Sequence, residues 1–139
     1  MKKKLITTSF IAGSLFLFSM ILGFKSIDQN EPWPVPEKYL KMVNPVKADA
    51  ESISEGKALW SKHCKSCHGV KGLGDGPKAA QLKTESGDLS SAEVQKQPDG
   101  SLFYKTSEGR KDMPRFKKDL PDDEDRWNLV NYIRTLKKK

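Results

Sequence analysis

Five consecutive residues constrain this chain more than any others: Cys64-Lys65-Ser66-Cys67-His68. Two cysteines three positions apart, followed at once by a histidine, are the sequence sign of covalent c-type haem attachment. The spacing has a chemical reason. Each thiol adds across one vinyl group of the porphyrin, and both vinyls lie on one side of the ring. One turn of chain presents Cys64 and Cys67 to the pair. His68 then swings under the metal, where its imidazole binds iron from the proximal side.

Other uses of the pair are weaker. A closed zinc site needs two more Cys or His ligands at similar spacing. The chain has two cysteines in all, and its only other histidine is His63. A redox-active Cys-x-x-Cys belongs at a helix start in a βαβ pattern, and no such strand pattern surrounds this one. His63 reads as a partly exposed helix residue. With both cysteines used by haem, none remains for a disulfide.

The 139 residues allow one compact domain plus an appendage. Residues 1–24 form the appendage. Lys2, Lys3 and Lys4 precede Leu5 to Phe24, a stretch without a charge. It matches the ~20 residues of a membrane-spanning helix, exceeds the usual apolar part of a signal peptide, and lacks an Ala-x-Ala cleavage site. The reading favours an uncleaved anchor over a cleaved signal. The basic flank stays in the cytoplasm, so the body lies at the extracytoplasmic (periplasmic) face, or is soluble in the periplasm if the segment is cleaved. Formal net charge is +7, or +4 once the three lysines of the appendage are set aside. That is no nucleic-acid footprint. Most basic side chains read as a solvated face, with a few available to ring a haem edge and steer an acidic redox partner.

Residues 25–50 read as a linker. Pro32, Pro34, Pro36 and Pro45 block helix and central strand and favour extended, semi-rigid chain. Trp33 and Tyr39 are more apolar than a spacer needs. They either fold back onto the domain or sit at a membrane interface.

Residues 51–139 read as the haem domain. Ser52 and Glu55 form a capping box that starts a helix, with Ile53, Gly56, Leu59, Trp60, His63 and Cys64 on its inner face. The glycine-rich run from Gly69 to Pro77 excludes regular structure and lets backbone pass close to a flat ligand. The Pro77 carbonyl is the expected acceptor for the second N–H of His68. Lys78 to Lys83 reads as a helical turn that brings Leu82 inward, with Leu89 a further haem contact. Ser90 and Glu93 form a second capping box, and Asp99 caps a helix that carries Leu102, Phe103 and Thr106 inward and ends at Gly109. Met113, 45 residues beyond His68 and stiffened by Pro114, supplies a soft thioether ligand. Met1 and Met20 lie in the appendage and Met42 in the linker. Pro121 and Asp122 open a last helix, whose acidic first turn and Lys137–Lys139 end complement its dipole. Leu129, Val130, Tyr132, Ile133 and Leu136 form its apolar stripe, facing the helix of Gly56 and Trp60.

Over about residues 51–136 the chain resembles the class I, monohaem, His/Met-ligated c-type cytochromes. The likeness rests on Gly56, Trp60, Cys64-x-x-Cys67-His68-Gly69, Gly74-Asp75-Gly76-Pro77, Gly109, Met113-Pro114, Phe116, Leu129 and Tyr132-Ile133 in that order. It implies an all-α small cytochrome c fold, with N- and C-terminal helices crossing at Gly56, Trp60 and Tyr132. It also implies one covalent haem c with its iron, and an exposed haem edge used for electron transfer. One departure is the polar stretch Lys83 to Asp88, which reads as a surface loop.

The expected function is electron transfer. A single-haem carrier would pass electrons between redox protein partners of a respiratory chain, with no substrate, no nucleic acid and no enzymatic step. Two filled axial positions leave no open site for oxygen. Alternatives are a haem subunit of a larger oxidoreductase complex, and a haem enzyme or gas sensor with a displaceable sixth ligand.

Overall fold

The structure is a computed structural model and describes residues 32–138. The expectations for residues 1–24, and for 25–31 of the linker, fall outside the described residues. Among the described residues no helix is long and apolar enough to cross a membrane.

The described chain is helical: α1 (Glu37–Leu40), α2 (Ala50–His63), α3 (Lys65–His68), a 3-10 turn (Ala79–Gln81), α4 (Ala92–Gln95), α5 (Asp99–Glu108) and α6 (Asp123–Thr135). The sole β pairing among these residues is one bridge between Arg110 and Met113. The fold is all-α, as the sequence implies.

α2 and α6 form the frame. Trp60 on α2, and Leu129 and Val130 on α6, are almost wholly removed from solvent. Burying each such side chain contributes roughly 1.5–3 kcal/mol. The two helices meet where Gly56 faces the Asn128 backbone and Tyr132. Trp60 lies 5.7 Å, ring to ring, from both Tyr132 and His68, and its indole N–H donates to the Gly69 carbonyl at 3.2 Å. That bond ties the frame to the chain just after the haem motif.

The first cap differs from expectation. Asp49, not Ser52, caps α2, its Oδ1 accepting from the Ser52 N–H at 3.1 Å. The presumed capping box has another task. Ser52 Oγ accepts from Asn131 Nδ2 at 2.7 Å, and Glu55 Oε2 accepts from Asn128 Nδ2 at 2.6 Å. Both are polar clasps between α2 and α6, and the buried Asn131 needs its partner because an unpaired buried amide is costly. The second cap moves by one: Ser91, not Ser90, caps α4. Asp99 does not cap α5, whose N-cap is Pro98 without a side-chain bond; its carboxylate instead pairs with Arg134 at 2.6 Å. Asp122 does cap α6, through Glu124 N–H at 3.0 Å.

Residues 32–49 are not a spacer. The prolines do limit helix here to the one turn of α1. Yet Tyr39 packs against Tyr104 with ring centroids 4.7 Å apart. Asn44 Nδ2 donates to Asn131 Oδ1 at 2.8 Å, and Asn131 Nδ2 donates to the Val46 carbonyl at 3.2 Å. The extended-linker expectation is corrected for these residues: their backbone polar groups and aromatic rings find partners on α5 and α6, which a free spacer would leave to water. Trp33 and Tyr39 fold back onto the domain.

Candidate haem site

Cys64 ends α2 as its C-cap and opens the one-turn helix α3. The amides of Cys67 and His68 both donate to the Cys64 carbonyl, at 3.2 and 3.0 Å. This single turn puts both thiols and the imidazole on one wall. The glycine-rich loop then presses back on it. Gly76 N–H donates to the Cys67 carbonyl at 3.1 Å and Lys78 N–H to the Ser66 carbonyl at 2.8 Å.

Met113 comes from a distant part of the chain. Arg110 and Met113 exchange backbone hydrogen bonds of 3.0 and 2.9 Å, closing a tight turn over Lys111 and Asp112. Lys111 takes a positive φ of 53° there. Phe116 N–H then donates to the Thr106 carbonyl at 3.3 Å, docking the loop on α5.

The two segments meet at a cavity of about 290 Å³. Cys64, Cys67, His68 and Met113 all line it. Its floor is apolar, with Trp60, Leu82, Leu89, Leu102, Phe116, Leu129 and Ile133. The expected inward placement of Leu82 and Leu89 is seen.

Two of its edges differ from expectation. The polar stretch 83–88 is no detached surface loop, because Thr84, Glu85, Ser86 and Gly87 line the cavity. Asp112 holds it there: one carboxylate oxygen accepts from Lys83 N–H at 2.9 Å and from Thr84 N–H and Oγ1 at 3.0 Å each. The Thr84 bonds keep the Asp112 carboxyl below its ordinary pKa. The second is Pro77, which does not line this cavity but a separate surface pocket with Lys65, Gly69 and Val70. His68 Nδ1 is buried and has no hydrogen-bond partner, so the expected bond to the Pro77 carbonyl is not made in this structure. The loop packs Gly76 and Lys78, on either side of Pro77, onto the backbone of α3 and turns Pro77 outward to an exposed position.

The electrostatics favour neutral donors. Burial lowers the His68 pKa, with the Ser86 backbone opposing the shift, and so favours the neutral imidazole that binds metal. Burial, and secondarily Cys67, push the Cys64 thiol up to about 12. A disulfide-exchange cysteine needs the reverse. His63 also lines the cavity; its ring stands edge-on to Phe116 at 5.9 Å, and its Nε2 is buried without a partner.

The family model for cytochrome c matches residues 53–137. The chain belongs to the cytochrome c family. This cytochrome therefore carries covalently bound haem c with its iron, and its two cysteines suit attachment through a Cys-x-x-Cys-His motif. The residues present fit that group: an apolar cavity, two thiols on one turn, and a buried imidazole nitrogen without a partner.

Solved structures agree. The KustC0563 c-type cytochrome is 33% identical, with a TM-score of 0.52, covering 60% of this chain and 98% of that one. The Kuenenia stuttgartiensis reducing HAO-like protein complex Kustc0457/Kustc0458 contains a chain 26% identical, with a TM-score of 0.63, covering 78% of this chain. This cytochrome spans about half of that chain, 52%. The 78% exceeds the extent of residues 53–137, so the likeness is not confined to the family domain. No curated protein matches.

Proposed function

We propose that this cytochrome is a monohaem, His/Met-ligated electron carrier of class I. Cys64 and Cys67 carry the thioether bonds, His68 is the proximal ligand and Met113 the distal one. When bound, the haem supplies a one-electron Fe(III)/Fe(II) couple. His68 and Met113 would hold the iron, and the apolar residues around them would keep water from it. Leu102, Phe116, Leu129 and Ile133 supply the apolar surround that favours the less charged, reduced state. No general acid or base is needed, because no bond is made or broken in a substrate.

The observation that carries this reading is the meeting of Cys64, Cys67, His68 and Met113, from two distant parts of the chain, on one apolar cavity. Redox proteins are the partners. A respiratory donor and a terminal oxidase or reductase suit a carrier held outside the cytoplasm by the uncharged Leu5–Phe24 stretch. A second reading makes the protein a fixed subunit of a larger oxidoreductase complex. The similarity to a chain of the Kuenenia stuttgartiensis HAO-like complex favours it.

The test is maturation in a host that attaches haem c. The exported protein is expected to gain the mass of one haem and show a low-spin His/Met spectrum, and Cys64→Ala with Cys67→Ala is expected to lose the covalent mass. A native chain without that mass, or one that binds carbon monoxide rapidly at neutral pH, overturns the carrier reading. Sizing after mild detergent extraction separates a free carrier from a subunit.

A further inference from the structure

The mouth of the haem cavity is built from two segments far apart in sequence. Trp33, which precedes the residues matched by the family, lines the cavity together with Lys105 and Arg110. Lys105 Nζ lies 5.7 Å from the Trp33 ring centroid, and Arg110 Cζ lies 5.3 Å from it. Arg110 Nη1 donates to the Pro32 carbonyl at 3.3 Å, and Lys105 Nζ donates to Gln97 Oε1 at 2.6 Å. One indole thus gathers two cations at the opening of an apolar cavity.

The two cations also act on each other through their like charge. Burial, and after it the charge of Arg110, lower the Lys105 pKa, with Glu93 acting in the other direction. Glu85 and Asp112 also line the cavity, where the Asp112 carboxylate accepts from Lys83 and Thr84. An ammonium and a planar guanidinium held at fixed positions are donors matched to carboxylates. Partial desolvation against the indole strengthens such a pairing relative to water.

We propose that Lys105 and Arg110, positioned by Trp33, form a carboxylate clamp for the propionate groups at the haem edge. The haem site of this chain then extends into the segment ahead of the family domain. The proposal rests on the reading of the cavity as the haem site. Lys105 and Arg110 are the carboxylate-binding residues, and Trp33 is a positioning residue that fixes where both cations stand. The docking of residues 32–49 through Tyr39 and Asn44 gains a purpose, since it holds Pro32 and Trp33 at the mouth.

The test uses the full holoprotein, matured with haem that is isotope-labelled at the propionate carboxyls. Redox-difference infrared spectra read the labelled carboxylate bands, and the pH dependence of the midpoint potential reads their ionisation. In the Lys105→Gln, Arg110→Gln double variant the bands are expected to shift. The pH at which the midpoint begins to fall is expected to rise by about one unit or more. The charge-keeping Lys105→Arg variant is expected to retain the original values, and Trp33→Leu to shift the bands in the direction of the double variant. Unchanged bands and ionisation in a double variant that keeps its covalent haem overturn the clamp. A native chain that carries no covalent haem overturns instead the reading beneath it. Should the double variant fail to mature, Lys105→Gln alone is read in the same way, since it leaves the Arg110 bond to Pro32 in place.

Discussion

Gly56 and Asn128 touch backbone to backbone: a Cβ built on Gly56 would stand 2.1 Å from the Asn128 carbonyl oxygen. The frame of this cytochrome closes at that point. The same imaginary atom would be 2.7 Å from the Asn128 carbonyl carbon and 2.9 Å from Tyr132 Cβ. None of these is the end of a flexible side chain, so α2 and α6 have to move apart to admit even a methyl group.

Gly56→Ala is therefore expected to destabilise the holoprotein by about 3 kcal/mol, the upper range for overpacking, despite alanine's better helix propensity. Denaturant unfolding followed at the haem band measures it. A variant as stable as the parent would mean that the helices separate easily at this point.

Met113→Ala tests the proposed distal donor and leaves the Cys64–His68 wall untouched. The haem is expected to remain covalently attached, while the sulfur-to-iron charge-transfer band disappears. The midpoint potential is expected to fall, because thioether ligation raises it. Carbon monoxide binding is expected to become fast. Optical titration checks all three, and survival of the sulfur band would remove Met113 from the iron.

Gly100 is where the preceding segment sits on α5. A Cβ there would lie 2.0 Å from the Tyr39 carbonyl oxygen and 2.8 Å from Met42 Cβ. Gly100→Ala is expected to lift residues 32–49 off the domain while the haem spectrum persists. Limited proteolysis reads this directly, with cleavage in that segment at least several-fold faster than in the parent.

Asp88 accepts from Lys138 Nζ at 2.7 Å and from Ser90 Oγ at 2.5 Å, tying the cavity-edge loop to the chain just beyond α6. Lys138 first, and then Ser90, lower its pKa from the ordinary 3.8 to about 2. A carboxyl whose folded pKa is depressed stabilises the fold above its unfolded value. That contribution is lost as pH falls through the folded value. The window here is from 3.8 down to about 2. Asp88→Asn is expected to lower thermal stability above the window and to converge with the parent below it. Melting curves that stay parallel across the window would show that the ion pair contributes nothing to the fold.

Much of the site was legible in the chain because its signals are local. Cys64, Cys67 and His68 occupy one turn, and a turn is fixed by chemistry that neighbours in sequence can satisfy. The helices of Gly56 and of Leu129–Ile133 declare themselves through their apolar period, and Met113 through its proline. The caps misled by one to three residues. Ser52 and Glu55 look like a capping box when only neighbours are counted, yet both serve Asn131 and Asn128 on another helix. Asp112 and the 83–88 loop show the same limit, since a polar stretch reads as surface until its partner carboxylate arrives from 28 residues away.

The sequence alone determined the haem motif, the all-α architecture and the apolar faces, because thiol spacing and helical period are properties of neighbouring residues. Only the tertiary structure decided that residues 32–49 belong to the domain, that Pro77 faces away from the cavity, and that Trp33 meets Lys105 and Arg110 at its mouth. Those outcomes depend on which distant groups can satisfy a buried amide, a ring face or a charge, and chain order does not encode that distance.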